Sequence, residues 1–102
     1  MQNISVQDLK AKIKSRHNFH LLDVREAEEK AEFDIGGKLF PLNQILAFQT
    51  DEIDDLKNEE VICYCRSGKR SLQACLMLET IGFTNVSNLS GGILAWKEAT
   101  TD

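Results

Sequence analysis

The sequence predicts an α/β fold, with a mainly parallel central sheet and helices on both of its faces. Three short apolar runs, residues 19–24, 61–65 and 86–89, have the length and composition of buried strands. Helical patterns of about ten residues separate these runs. Parallel strands need crossover connections of this kind, and a parallel sheet is covered by helices on both sides. The alternation of the two patterns therefore indicates the α/β class.

The first half of the chain shows two helical and two strand patterns. Ser5 begins an S-x-x-D capping pattern with Asp8, and apolar residues then recur at helical spacing, which predicts a first helix. The buried strand over 19–24 follows and ends at a charged cluster. Residues 25–33 are rich in helix formers and predict a second helix. Paired glycines and the single proline frame a short strand around residues 39–40.

The second half is mainly helical between its two strands. Residues 43–57 have apolar positions at interrupted helical spacing, which predicts short helical pieces. A longer helix is predicted over 71–81, where apolar residues occupy almost the whole circumference, as in a helix packed on a sheet. Gly82 lies where a glycine commonly follows the end of a helix. After the last strand, the glycines at 91–92 predict a turn and residues 93–99 a final helix.

Length, composition and charge exclude several classes of protein. The chain has 102 residues, which we interpret as one domain over 1–102. Its net charge is −4, and its basic residues are scattered apart from one cluster at Arg66, Lys69 and Arg70. Such a cluster suits a small anionic ligand, whereas a nucleic-acid surface needs a wider basic field. Because the sequence has no membrane-spanning apolar run and no apolar block of a secretory signal, we expect a cytoplasmic protein without membrane contact.

All three cysteines lie within residues 61–75, but their positions differ. Cys65 lies where the predicted strand ends and the loop RSGKR leads towards the next helix. Unpaired backbone N–H groups and the positive end of the helix dipole meet at such a point, and both stabilise a thiolate. The basic residues of the loop add positive charge, and Gly68 lets the loop curl so that its N–H groups converge on an anion. We therefore predict that Cys65 is a nucleophile with a lowered pKa.

Cys63 and Cys75 suit a packing role. Strand alternation puts Cys63 on the same face as Cys65 but deeper in the core, and Cys75 lies inside a predicted helix. A zinc site is disfavoured because C-Y-C is tighter than the usual ligand spacing and both histidines are distant in sequence. We therefore expect free thiols and no metal. A Cys63–Cys65 disulfide stays open as a secondary redox property, although an extended strand would strain it.

The spacing inside the loop favours sulfur chemistry over phosphate chemistry. Four residues separate Cys65 from Arg70, one fewer than in cysteine-dependent phosphatases. A shorter loop forms a smaller cup, which matches an outer sulfur carried on Cys65 better than a full phosphate. No aspartic acid is obviously placed to protonate a leaving alkoxide, although Asp34 and Asp51 stay open as candidates. A hydrolase of the phosphatase or arsenate-reductase kind is therefore the least favoured alternative.

Three segments together resemble the single-domain rhodaneses, a family of sulfurtransferases. The segments are LLDVRE at 21–26, CYCRSGKRS at 63–71 and GFTNVSNLSGGILAW at 82–96. The motif C-R-S-G-x-R-S after a strand is the specific part of the match, and the last segment supports it independently. The resemblance covers nearly the whole chain. It implies a five-stranded parallel sheet between helices and a persulfide formed on the loop cysteine.

The resemblance also implies roles for the loop. Cys65 would take a sulfane sulfur from a donor such as thiosulfate, release sulfite, and pass the sulfur to cyanide or a thiol. Arg66 and Lys69 would steer the anionic donor, while Arg70 would brace the loop from inside. The N–H groups that would cradle the persulfide are those of Arg66, Ser67, Gly68, Lys69, Arg70 and Ser71. No metal or organic cofactor is implied.

The main alternative is a sulfur-carrier or binding module that exchanges sulfur with a protein donor or acceptor and turns over thiosulfate slowly. The residues do not separate this alternative from the enzyme. One segment also departs from the family pattern, because many members carry Gly-His-Ile-x-Gly-Ala before an Ile-Pro, whereas this chain has DIGGKLFPL at 34–42. The missing histidine is not the nucleophile, so the departure concerns the lip of the pocket and the choice of donor.

The remaining polar and aromatic positions are expected to be structural. Asp23 and Arg25 follow a strand end, where we expect an ion pair, with Asp23 also accepting backbone N–H bonds in the next turn. Trp96 is expected to pack on the sheet. The phenylalanines expected mostly in the core are Phe33, Phe40 and Phe48, with one of them left open as a residue that borders the mouth of the pocket.

Overall fold

The computed structural model describes residues 1–99 of the chain, and strands and helices alternate along them. The strands are β1 (Gln2–Ile4), β2 (His20–Asp23), β3 (Lys38–Leu39), β4 (Val61–Tyr64) and β5 (Val86–Leu89). The α-helices are α1 (Val6–Lys14), α2 (Ala27–Glu32), α3 (Leu42–Leu46), α4 (Lys69–Thr80) and α5 (Gly92–Ala99). A 3₁₀-helix spans Asp51–Leu56. None of the described helices is both long enough and apolar enough to cross a membrane.

The strands form one parallel sheet in the order β1-β5-β4-β2-β3. The predicted α/β class with a five-stranded parallel sheet is therefore confirmed. β4 occupies the centre, and its residues pair with β2 on one side and β5 on the other, as in Cys63 with Leu22 and with Asn88. The carboxyl end of this central strand is where a ligand site is expected in an open α/β sheet.

Helices cover both faces of the sheet, and side chains of β4 alternate between them. Cys63 and Cys65 face a buried cluster with α3, α4 and the 3₁₀-helix, where Leu78 is also buried. Ile62 and Tyr64 face a second cluster formed with α1 and α5. The period-two alternation of an extended strand accounts for this division.

The edge strand β1 was not predicted from the sequence. It has only three residues, two of them polar, so it carries no apolar run. Its pairing with β5 defines it, because Asn3 lies opposite Asn88 and Ile4 opposite Leu89. The capping box that was predicted follows directly, with the Asp8 N–H donating to the Ser5 hydroxyl at 3.0 Å.

The expectation that Phe48 lies in the core is wrong. Phe48 is 62% exposed, and its φ of 59° places it in the left-handed region, where the chain leaves α3 and turns. A residue in that conformation cannot continue a right-handed helix, so the pattern over 43–57 divides at this point. Phe40 is buried as expected, Phe33 is only partly buried, and Trp96 packs against the cluster on the α1–α5 face.

Candidate active site

The predicted cysteine loop lies at the carboxyl end of β4. The strand ends at Tyr64, Cys65 follows, and α4 begins at Lys69, two residues earlier than the sequence predicted. Gly68 is the residue that caps the helix, with φ of 101°. The loop needs a glycine here because side-chain-bearing residues rarely adopt this conformation. The tight turn brings the start of α4 back over the Cys65 sulfur.

Donors from the loop surround the Cys65 sulfur. The Gly68 N–H donates to Cys65 Sγ at 3.1 Å and the Ser71 N–H at 3.4 Å. The Ser71 hydroxyl oxygen also lies 3.4 Å from the sulfur. Cys65 itself is fully buried beneath the loop. A sulfur enclosed by N–H groups at a helix N-terminus is in a setting that favours negative charge.

The acidity of Cys65 reflects two opposing effects. Burial raises the pKa of its thiol, while hydrogen bonds from the Ser71 hydroxyl and from the N–H groups of Ser71, Gly68 and Ser67 lower it. The hydrogen bonds outweigh burial, so the pKa of Cys65 lies below its ordinary value. The predicted direction of the shift agrees with this balance, and its main cause is hydrogen bonding rather than the basic side chains.

Cys63 and Cys75, the other two cysteines, lie in surroundings that differ from those of Cys65. Both are buried free thiols, and Cys75 Sγ donates to the Ser87 carbonyl at 3.4 Å. The hydrogen bond that the Cys63 thiol makes to Cys75, together with complete burial, raises the pKa of Cys63 well above its ordinary value. Within residues 1–99, no loop of N–H groups encloses either of these two sulfurs. The structure therefore separates Cys65 from its neighbours chemically.

The three basic residues of the loop occupy different environments. The Arg70 guanidinium binds the Glu29 carboxylate through two contacts, at 2.6 and 2.7 Å, and thereby connects α4 to α2. Arg66 and Lys69 are exposed at the rim of the loop. Arg70 is thus held in a fixed position, whereas the other two side chains are available to an approaching anion.

The helix α5 supports the loop from behind. The Ile93 N–H donates to the Cys65 carbonyl and the Leu94 N–H to the Arg66 carbonyl, both at 3.0 Å. Gly92 permits this approach, because a Cβ there would lie 2.2 Å from the Cys65 carbonyl oxygen. The glycine pair before the last helix therefore has a packing reason: it allows α5 to bind the backbone of the cysteine loop.

The expected ion pair between Asp23 and Arg25 is present and buried. Arg25 Nε and Nη2 bind the two carboxylate oxygens of Asp23 at 2.9 and 2.8 Å, and the Arg25 N–H donates to the same carboxylate at 3.0 Å. Arg25 also donates to the carbonyl oxygens of Glu29 and Phe33. The pair thus fixes α2 against the end of β2.

Two depressions flank the loop. The larger, about 440 Å³, is lined by Arg25, Glu29, Glu32, Phe33, Arg66, Ile93, Leu94 and Lys97. The smaller, about 80 Å³, borders Arg70 and α3 on the other side. The Cys65 sulfur lies in neither wall, so the larger cavity adjoins the loop rather than containing the thiol.

Two side chains at this end of the sheet, Glu29 and Asn88, were missed by sequence reasoning.

A signal existed for only one of the two missed residues. Asn88 is a polar residue inside an otherwise buried strand, and buried polar groups need partners. Its partner is the Ser71 hydroxyl, which donates to Asn88 Oδ1. Glu29 lies in a helix rich in carboxylates, where nothing in the sequence distinguishes the one that meets Arg70.

A parallel α/β domain that holds a cysteine sulfur among N–H groups at a helix N-terminus belongs to the class of proteins that can use a reactive thiolate. The chain belongs to the rhodanese family, because the family model for the rhodanese-like domain matches residues 5–99. The resemblance noted in the sequence is therefore confirmed.

Individual relatives agree with this assignment. The chain is 36% identical to the putative sulfurtransferase YtwF of Bacillus subtilis, over 98% of this chain and 94% of the relative. It is 34% identical to a sulfurtransferase of Allochromatium vinosum, over 94% and 88% of the two chains. A crystal structure of a rhodanese-like domain protein from Staphylococcus aureus is 30% identical, with a TM-score of 0.81 over 94% of this chain and 91% of that one. These relatives support a sulfur-transfer role for this chain.

Proposed function

We propose that the protein is a sulfurtransferase that carries a sulfane sulfur as a persulfide on Cys65. The observation that supports this most directly is the enclosure of the Cys65 sulfur by the N–H groups of Gly68 and Ser71. These donors stabilise the thiolate before reaction, and they lie close enough to stabilise the charge of a persulfide afterwards. The Ser71 hydroxyl oxygen lies 3.4 Å from the sulfur and becomes a third donor when its proton turns from Asn88 Oδ1 to the sulfur.

The proposed reaction has two displacement steps. The Cys65 thiolate attacks the outer sulfur of thiosulfate, the sulfur–sulfur bond breaks, and sulfite leaves with the bonding electrons. This leaves Cys65 as a persulfide anion. A thiolate or cyanide ion then attacks the outer sulfur, and the Cys65 thiolate is released again. No net oxidation occurs, and the steps require neither a metal nor an organic cofactor.

The three basic residues of the loop have two different roles in this proposal. Arg66 and Lys69 are exposed at the rim, so they attract the anionic donor. Arg70 holds the loop through Glu29.

The acceptor is a thiol or cyanide, or a thiol presented by a protein partner. One curated relative, 33% identical over 90 residues, is named a thiosulfate:glutathione sulfurtransferase in Homo sapiens, which supports thiosulfate and a small thiol as the first substrates to test. The cytoplasmic location expected from the sequence stays a prediction.

Mass spectrometry of the intact protein and of its peptides tests the persulfide. After treatment with thiosulfate, the wild type is expected to gain the mass of one sulfur atom on the peptide that contains Cys65. Cys65→Ser removes the attacking thiolate, so it is expected to gain nothing. Cys75→Ser is the matched control, since it removes a buried thiol of the same cluster and should still be loaded. Loading of Cys65→Ser, or loading of the wild type at Cys63 or Cys75, would overturn the proposal.

A sulfur carrier is the second candidate, favoured by one relative. The chain is 33% identical over 94 residues to the putative sulfur carrier protein YrkF of Bacillus subtilis, of which it spans 49%. Both candidates predict one sulfur on Cys65, and they differ in turnover. An enzyme with thiosulfate and cyanide continues to produce thiocyanate well beyond one equivalent of protein. A carrier releases about one equivalent, as expected of a single loaded thiolate, and then slows.

A further inference from the structure

A chain of hydrogen bonds leads from the Cys65 sulfur away from the loop to the surface. The Ser71 hydroxyl lies 3.4 Å from Cys65 Sγ and donates to Asn88 Oδ1. Asn88 Nδ2 in turn donates to Asn3 Oδ1 at 3.1 Å. Ser71 and Asn88 are buried, whereas Asn3 is exposed on the edge strand β1. This series of hydrogen bonds, from Cys65 through Ser71 and Asn88 to Asn3, is called the relay below. It connects a buried sulfur to a side chain that solvent reaches.

The Ser71 hydroxyl has one proton and two possible acceptors. When it donates to Asn88 Oδ1, it can only accept from the Cys65 thiol. When Cys65 is a thiolate, the best use of that proton is a hydrogen bond to the charged sulfur. Donation to the sulfur leaves Asn88 Oδ1 buried without a donor, which is unfavourable. The protonation state of Cys65 and the orientation of the Asn88 side chain are therefore coupled.

The conflict is resolved when the Asn88 amide turns over. Rotation of its terminal amide presents Nδ2 to the Ser71 oxygen, and the Ser71 proton then points to the sulfur. Asn88 Oδ1 would then face Asn3, whose amide must also turn to donate its Nδ2. Because Asn3 is exposed, water can satisfy its groups in either orientation. Because the relay ends at the exposed Asn3, the hydrogen bonds of its buried part can exchange donors and acceptors at low cost in free energy.

We propose that Asn3 and Asn88 are positioning residues that orient the Ser71 hydroxyl and thereby decide whether it donates to the Cys65 sulfur. This inference rests on the proposed function only in taking the Cys65 thiolate as the reacting species. The relay carries no charge of its own. The charged or titratable groups that flank the sulfur include Arg66, Lys69 and Arg70 of the loop and α4, Cys63 of β4 and Cys75 of α4. All of them stay unchanged in the variants below.

Substitutions at Asn3 test the relay without disturbing the core. Asn3→Asp gives Asn88 Nδ2 a permanent acceptor, which holds Asn88 Oδ1 towards Ser71. The Ser71 proton then points to Asn88 Oδ1 and not to the sulfur. The pKa of Cys65 should therefore rise, by several tenths of a unit or more. Asn3→Ala releases the amide, so the pKa should fall or stay unchanged. Gln2→Asp is the matched control: it adds the same charge one residue away, on the opposite face of β1, and should have a much smaller effect.

A double-variant comparison separates the relay from a direct effect of charge. Asn88→Leu removes the competing acceptor, so Ser71 is left with the sulfur alone and the pKa of Cys65 should fall. In the Asn88→Leu background, Asn3→Asp should no longer raise the pKa of Cys65, because no hydrogen bond then connects residue 3 to Ser71. Each pKa is measured from the ultraviolet absorbance of the thiolate against pH, after subtracting the curve of Cys65→Ser. This titration uses protein that has not met a sulfur donor, so its result is independent of persulfide formation.

The outcomes decide the proposal directly. A rise with Asn3→Asp that exceeds the Gln2→Asp effect and disappears in Asn88→Leu supports the relay. An equal rise in both backgrounds means that the introduced carboxylate acts through its charge, and equal effects of Asn3→Asp and Gln2→Asp mean the same; either result overturns the proposal. An unchanged pKa in every variant also overturns it. If Asn88→Leu does not fold, the comparison of Asn3→Asp, Asn3→Ala and Gln2→Asp still decides.

Discussion

At the scale of single residues, two thiols of one cluster, Cys63 and Cys65, have pKa values shifted in opposite directions. Cys65 receives N–H donors from the loop, so its pKa is lowered although its side chain is buried. Cys63 is hydrogen-bonded to Cys75 and completely buried, so its pKa is raised. Their separation along the strand is only two residues. Hydrogen-bond geometry therefore separates the pKa values of two buried thiols, and we expect it to determine which sulfur reacts.

Alkylation of the native protein tests this ranking. Cys65 is expected to react with iodoacetamide before Cys63 and Cys75, and its rate against pH should have a midpoint below the free-cysteine value of about 8.5. Because the pKa is lowered, the reactive thiolate persists to a lower pH than that of an ordinary cysteine and is lost as the pH falls through the lowered value. Peptide mapping identifies the modified residue. In urea the three cysteines should react alike, and faster reaction of Cys63 or Cys75 in the folded protein would contradict the assignment.

At the scale of secondary-structure elements, the pair of Glu29 and Arg70 connects α2 to α4. The hydrogen bonds from Arg70 lower the pKa of Glu29 to about 2, against an ordinary value of 4.5. Both side chains are about one-third exposed, so water screens the pair, and we expect it to contribute about 1 kcal/mol. Since the folded-state pKa is lowered, this stabilisation is fully present above pH 4.5 and disappears as the pH falls towards 2.

Glu29→Gln should therefore destabilise the protein in a pH-dependent way. The free energy of unfolding should fall by about 1 kcal/mol at neutral pH, and the difference from wild type should shrink between pH 4.5 and pH 2. Urea denaturation at a series of pH values measures it. Glu28→Gln changes a neighbouring exposed carboxylate of the same helix and is the matched control. A constant difference across this pH range would mean that the charge of Glu29 is not the source of the effect.

The contact between α5 and the cysteine loop gives a second prediction for elements. Gly92→Ala would place a Cβ 2.2 Å from the Cys65 carbonyl and 2.7 Å from that of Arg66. We expect a loss of about 3 kcal/mol or more in unfolding free energy, together with slower alkylation of Cys65 as the loop shifts. Gly36→Ala is the control: its φ is 105°, but an added Cβ meets nothing within 4 Å. It should cost about 1 kcal/mol from backbone strain alone and leave Cys65 reactivity unchanged.

Elements with a local signature could be predicted from the sequence, and those defined by pairing could not. The Cys65 loop is local, since a strand, a glycine-containing loop and a helix follow one another directly. β1 has three residues and exists through its register with β5. The bond from Ser71 to Asn88 likewise depends on how α4 packs over β5. Phe48 was misplaced because its apolar character indicates a core position, whereas its backbone conformation turns the chain outwards.

At the scale of the whole molecule, the sheet separates two cores that share the same strands. Leu78 of α4 is fully buried on one face and Leu9 of α1 on the other. β4 contributes alternate side chains to both clusters. Loss of packing on either face therefore weakens the sheet on which the other face depends, and we expect residues 1–99 to unfold as one cooperative domain.

Truncation of one core residue on each face tests this cooperativity. Leu9→Ala and Leu78→Ala should each lower the free energy of unfolding by about 2–5 kcal/mol, because both leave a cavity in a closed core. In each variant the transition followed by Trp96 fluorescence, which reports the α1–α5 face, should coincide with the transition followed by far-ultraviolet circular dichroism. Leu76→Ala is the control on α4, since Leu76 is 51% exposed and its loss should cost well under 1 kcal/mol. A Leu78→Ala variant that loses part of its dichroism while the Trp96 transition stays at the wild-type midpoint would show that the two faces unfold separately, and would refute a single cooperative domain.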